Sequence, residues 1–141
     1  MIPDSSSFVA DPKLIAELET HAKPLAPASD GVLFRQGDPP IGVFILRAGT
    51  VTMTMNGASD RSIRTTVGAG SLLGLPAVVA AKPYSLTAVA QRDSHILFVK
   101  SEDFVNLMRS KPAISFHVLQ LLAQEVRAAR GAYSDLVDAS N

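Results

Sequence analysis

The chain has 141 residues, 47% of them apolar and 18% charged, which is enough for one compact domain with a single core and short of two ordinary domains. It contains no cysteine, and that excludes thiolate catalysis, thiolate-held iron–sulfur clusters and every cysteine-containing zinc motif. Thirteen Lys and Arg balance thirteen Asp and Glu without a block of like charge, so no nucleic-acid footprint is visible and the chain is not expected to bind DNA or RNA by itself.

Residues 1–10 read as a polar N-terminal arm and residues 11–141 as one domain. The start lacks a basic segment followed by a long apolar one, and no stretch approaches the roughly 20 apolar residues of a membrane span. A cytoplasmic location without membrane contact is expected. Asp11-Pro12 supplies an N-cap and a proline at the first helical position, and Leu14, Ile15 and Leu18 share one helical face until Pro24 and Pro27.

Strand signals follow. Val32-Leu33-Phe34 runs into the turn-rich Gln36-Gly37-Asp38-Pro39-Pro40 and then the apolar Val43-Phe44-Ile45-Leu46, two strands joined by a tight loop. Val51, Met53 and Met55 alternate with Thr50, Thr52, Thr54 and Asn56, the period of a half-buried strand, and Asn56-Gly57 is hairpin chemistry. Ile63, Thr65 and Val67 alternate likewise, and further strands are predicted at Ser85 to Ala90 and His95 to Val99. This succession predicts a sandwich, jelly roll or barrel.

The last third is helical. Ser101-Glu102-Asp103 opens a capped helix carrying Phe104, Val105, Leu107 and Met108, and Pro112 interrupts it. Beyond that, Leu119, Leu122, Val126, Ala129, Tyr133 and Leu136 are spaced 3-4-3-4-3, an a/d seam of about two and a half heptads on a helix over about 113–138. A second stripe, Ile114, Val118 and Leu121, is placed to face the β body while the seam faces something else. Spacing alone leaves two readings open: a helix lying on its own domain, and a helix pairing with a partner.

Catalytic chemistry is not indicated. His21, His95 and His117 fall on three different predicted elements, which gives no metal-ligand spacing, so no metal and no cofactor are expected. There is no nucleophile elbow, zincin helix or Gly-Lys-Ser/Thr phosphate loop. Gly68-Ala69-Gly70-Ser71-Leu72-Leu73-Gly74 departs from the dinucleotide fingerprint at its third glycine, and reads as a turn between strands. Gly74-Leu75-Pro76-Ala77 looks like the entry to one short helical turn, which offers free N–H groups to an anion such as a phosphate, but Lys82 is the only cation beside it and the charge-assisted clamp of strong phosphate recognition is missing.

The stretch from Leu33 to Val51, LFRQGDPPIGVFILRAGTV, closely resembles the signature of the cyclic-nucleotide-binding domain family, the sensor half of catabolite-activator-type bacterial regulators. The likeness continues through Gly70 to Gly74, Tyr84 to Ala90 and the helix pair from Ser101, about nine tenths of the chain. What it implies is a mainly β fold with flanking helices: an eight-stranded β-roll with a short N-terminal helix and a C-terminal helix pair ending in a long dimerisation helix.

The resemblance also implies a phosphate-binding cassette in which a glutamate takes the ribose hydroxyl and an arginine takes the cyclic phosphate. Gly74 and Ala77 match it, with Pro76 between. The glutamate position is Leu75, the arginine position is Tyr84, and Ser85, Leu86 and Thr87 complete the segment. Losing a charged partner in a buried site costs on the order of 2–5 kcal/mol, about two to three decades in affinity. Ordinary cyclic-nucleotide binding is therefore not expected. The pocket is then empty, collapsed on its own side chains, or open to a less charged ligand against Leu75, Val78, Tyr84 and Leu86.

The expected function is a non-catalytic, dimeric sensing or regulatory module that reports to a protein partner through its last helix. No helix-turn-helix follows that helix, so the sequence reads either as a stand-alone module or as a truncated regulator, and the Met1 start and the Asp138-Ala139-Ser140-Asn141 end favour the first. The alternative is an interaction protein working through the coiled-coil face without any small molecule. A metal-dependent β-roll enzyme of the cupin kind would need clustered histidines that the sequence lacks.

Overall fold

Asp11 starts the first helix as its residue types dictate. In the computed structural model, which describes residues 9–27, 29–57 and 62–123, its side chain accepts from the Lys13 N–H at 2.7 Å and Pro12 opens α1 (Pro12–Glu19). Leu14 and Leu18 point inward from α1. The helix stops at Thr20, before either proline, where the hydroxyl donates back to the Glu17 carbonyl at 2.7 Å. Pro24 lies instead in a strand, β1 (Lys23–Leu25), paired with β8 (His95–Lys100). β1 is the edge of its sheet, where a residue without an N–H is tolerated.

The remaining strands are β2 (Val32–Phe34), β3 (Gly42–Ala48), β4 (Val51–Asn56), β5 (Ser62–Val67), β6 (Leu72–Leu73) and β7 (Thr87–Ala90). They form two four-stranded antiparallel sheets, ordered β1-β8-β3-β6 and β2-β7-β4-β5. β2 and β3, neighbours in the chain, therefore belong to different sheets, and the loop between them crosses the roll instead of closing a hairpin. β4 and β5 pair from Val51↔Val67 to Asn56↔Ser62 as the alternation requires. The strand predicted from Ser85 begins two residues later, at Thr87.

Two apolar layers result. Phe34, Phe44, Leu46, Met53, Leu73 and Ala88 fill the space between the sheets. Val43, Ile45 and Val99, on the other face of the first sheet, pack against helices α1, α2 (Leu75–Ala80) and α3 (Ser101–Ser110). β3 is consequently buried on both faces over Gly42 to Leu46, which explains a continuous apolar run where alternation would otherwise be expected.

α3 is capped differently from the expectation. Its N-cap is Lys100, without a side-chain bond, and Ser101 is the first helical residue. The Ser101 N–H is taken by the Ile41 carbonyl at 3.1 Å, and its hydroxyl is buried without a hydrogen-bond partner. Glu102 and Asp103 in the first turn complement the helix dipole. Lys111 is extended, and the chain is helical again from 112 to 123, where the described residues end. Ile114, Val118 and Leu121 of that last helix are 4%, 1% and 4% exposed, so the second stripe does dock on the body.

Candidate functional site

The cassette segment runs from β6 through Gly74 and α2 to Tyr84 and β7. Gly74 caps α2 at φ +86, a conformation that favours glycine. A Cβ there would lie 3.0 Å from the Tyr84 ring and 3.2 Å from the Gly42 carbonyl oxygen. The close approach that this glycine permits is thus made by the Tyr84 ring.

Tyr84 is 3% exposed and belongs to the layer between the sheets. Its ring stacks on Phe34 with centroids 4.1 Å apart and planes 23° from parallel. Its hydroxyl donates to the Gly42 carbonyl at 2.8 Å and accepts from the N–H groups of Ile41 at 3.0 Å and Gly42 at 3.2 Å. The main chain is held separately: the Tyr84 N–H donates to the Asp38 carbonyl at 2.9 Å, and Gly37 N–H donates to the Tyr84 carbonyl at 2.8 Å. Gly37 takes φ +94 in the turn that carries this contact.

The other cassette residues separate into two layers. Leu75, fully buried, and Val78 lie on the α2 face turned to α1 and α3. Ala77, on the opposite side of the helix, joins Tyr84 between the sheets, and the half-buried Leu86 packs against the same layer. Pro76 sits half-buried in the first turn of α2. Ser85 is exposed, and the Thr87 hydroxyl accepts from the Gln36 N–H at 2.9 Å.

The cations Lys82 and Arg35 are both exposed. Lys82 lies beyond Ala81, the C-cap of α2, at the far end from Gly74. Arg35 pairs with Asp30 at 3.2 Å on the surface. The Val32 N–H, first, and then Arg35 hold the Asp30 carboxyl below its usual range, which keeps that partner charged. What the arrangement offers chemically is an apolar, aromatic interior whose polar groups are already paired.

The histidines are dispersed as well: His21 follows α1, His95 opens β8, and His117 on the last helix places Nδ1 3.6 Å from the Asp11 carboxylate. Among the described residues no group of three or more His, Asp or Glu could hold a metal ion, and no helix is long and apolar enough to cross a membrane. Of the seam, Leu119 is 63% exposed and Leu122 is partly buried against the body. Val126, Ala129, Tyr133 and Leu136 lie outside the described residues, as does the predicted helix beyond 123.

The model of the cyclic nucleotide-binding domain matches residues 28–111, a span that contains β2 to α3. The chain belongs to the cyclic nucleotide-binding domain family. As a member of that family it is similar to the cyclic AMP receptor protein of Thermus thermophilus, at 29% identity over 99 residues, 69% of this chain and 45% of that protein. It thus spans less than half the length of that curated relative. The fold matches the crystal structure of Thermus thermophilus catabolite activator protein, with TM-score 0.75 and 21% identity over 95% of this chain and 63% of the other. A cAMP-binding acyltransferase from Mycobacterium smegmatis is also similar, with TM-score 0.61 and 25% identity over 84% of this chain and 37% of the other. The β-roll fold implied by the Leu33 to Val51 signature is therefore correct.

Three participants at the cassette escaped sequence reasoning: Phe34, Ile41 and Gly42. All lie in the signature stretch, but Ile41 and Gly42 act through peptide groups, which no side chain announces. Gly42 itself is a signal, because a Cβ there would overlap the Val99 carbonyl and come within 2.7 Å of the Phe98 ring.

Proposed function

We propose that this domain is a non-catalytic regulatory module of the cyclic-nucleotide-binding type that does not hold a cyclic nucleotide in the family's manner, and that it works in the cytoplasm as a homodimer through the helix at about 113–138. One observation carries the reading: at the position where the family's cassette places an arginine, Tyr84 lies buried against Phe34 with its hydroxyl bonded to Ile41 and Gly42. Gly74, Leu75, Pro76, Ala77, Tyr84, Ser85, Leu86 and Thr87 keep the cassette's place in the chain without its charges. Neither a ribose hydroxyl nor a phosphate finds its charged partner there.

Titration calorimetry with cyclic AMP and cyclic GMP tests this. No binding tighter than about 10 μM is expected, whereas a dissociation constant below that overturns the reading.

A second reading is favoured by the exposure of Phe116 at 60% and Leu119 at 63%. In it the chain is an interaction protein whose exposed helix face binds a protein partner and whose interior takes no small molecule at all. The two readings differ in whether any ligand shifts the melting temperature of the domain.

A further inference from the structure

We infer that the Tyr84 phenol is a tethered ligand, seated in a receptor site that this chain builds from peptide groups, and that the site takes up a free phenol once the tether is cut. The inference rests on the placement of Tyr84 used above and extends it to the chemistry of the seat.

A buried tyrosine needs one hydrogen-bond partner, but a hydroxyl has one donor and two acceptor positions. Here all three are used, by the Gly42 carbonyl and by the N–H groups of Ile41 and Gly42. Every partner is main chain, from two successive residues, so the polar end of the seat is a fixed cradle that no rotamer change can dissolve. The flat end is Phe34 on one side and, at Gly74, a position whose missing Cβ leaves room for the ring.

The tether is independent of the seat. Tyr84 keeps its place in the backbone through Asp38 and Gly37, contacts that survive removal of the side chain. Truncation therefore leaves a hole of phenol shape with its cradle in place, and well-packed proteins bind small molecules that match such engineered cavities. The occupant is also sensed at a distance. The Ile41–Gly42 peptide donates its N–H to the hydroxyl and accepts through its carbonyl from Ser101 N–H at the start of α3, so one peptide unit separates the seat from the C-terminal helices.

The test uses the full chain carrying Tyr84→Ala, with phenol and benzene as probes, because alanine keeps the Cβ and leaves room for the ring and hydroxyl alone. Phenol should raise the melting temperature of the variant saturably, by about 5 °C or more. Benzene, which lacks the hydroxyl, should do clearly less, and neither should move the wild type, whose site is filled. Equal shifts from the two probes, no shift from phenol, or an equal shift in the wild type overturn the inference.

Should the alanine variant not fold, Tyr84→Phe removes only the hydroxyl. Amide exchange at Ile41, Gly42 and Ser101 should then quicken by about tenfold or more, and unchanged exchange overturns the inference. Calorimetry with cyclic AMP on the same wild-type sample separates the two claims. Failed phenol rescue without nucleotide binding removes the tethered-ligand inference alone, while nucleotide binding removes the functional reading beneath it.

Discussion

Replacing Tyr84 by alanine is expected to destabilise the domain by about 3–5 kcal/mol, the range for deleting a large aromatic side chain from a core. Two effects add. The ring leaves a cavity beside Phe34 and Gly74, and the peptide groups of Ile41 and Gly42 lose the hydroxyl that pairs them. Tyr84→Phe isolates the second effect and should cost about 1–3 kcal/mol, the penalty for leaving buried groups unsatisfied. Urea unfolding followed by circular dichroism measures both. An alanine variant within about 1 kcal/mol of wild type would mean that the ring is not part of the core.

The other large effect concerns assembly. Ile114, Val118 and Leu121 are spent on the body and Leu122 is partly buried against it, whereas Leu119 of the proposed seam is 63% exposed. Glutamates at Leu119 and Val126 are expected to halve the mass seen by light scattering, from dimer to monomer, with the β-roll still folded. Like charges facing each other at a-type seam positions remove the apolar contact and add repulsion. Glutamate at Val118, which is 1% exposed, should instead detach the helix from the body, because it buries an unpaired charge. A monomeric wild type, or a double-glutamate protein that stays dimeric, contradicts the seam.

The sequence was most legible where one physical signal ran long enough. β4 alternates in sequence over six residues and its face is as read at Val51 and Met53, which are buried, while Met55 is half-buried against Ile63 and Asn56 is exposed. The N-cap at Asp11 was equally plain, because its residue types have few other uses. β1 and β6, three and two residues long, are too short for any period to show. Pro24, a helix terminator by type, hid the first of them by sitting on a sheet edge.

At the candidate site, the uncharged types of Leu75 and Tyr84 are plain in the sequence, but their placement is not. Leu75 and Val78 turn toward α1 and α3 while Ala77 turns between the sheets, a division set by the 100° step of a six-residue helix rather than by residue type, and Tyr84, beyond the end of that helix, joins Ala77 in the same layer. Nor does the sequence show that the Tyr84 ring fills the interior between the sheets. Shape and main-chain hydrogen bonding decide that, and neither belongs to a single residue.

A crystal structure grown with excess cyclic AMP tests most directly that Tyr84 occupies the interior in place of a nucleotide. The account predicts the phenol ring against Phe34, its hydroxyl on the Gly42 peptide, and no nucleotide between Gly74 and Ser85. A cyclic phosphate seated at Ser85, with the tyrosine swung out of the roll, would contradict it.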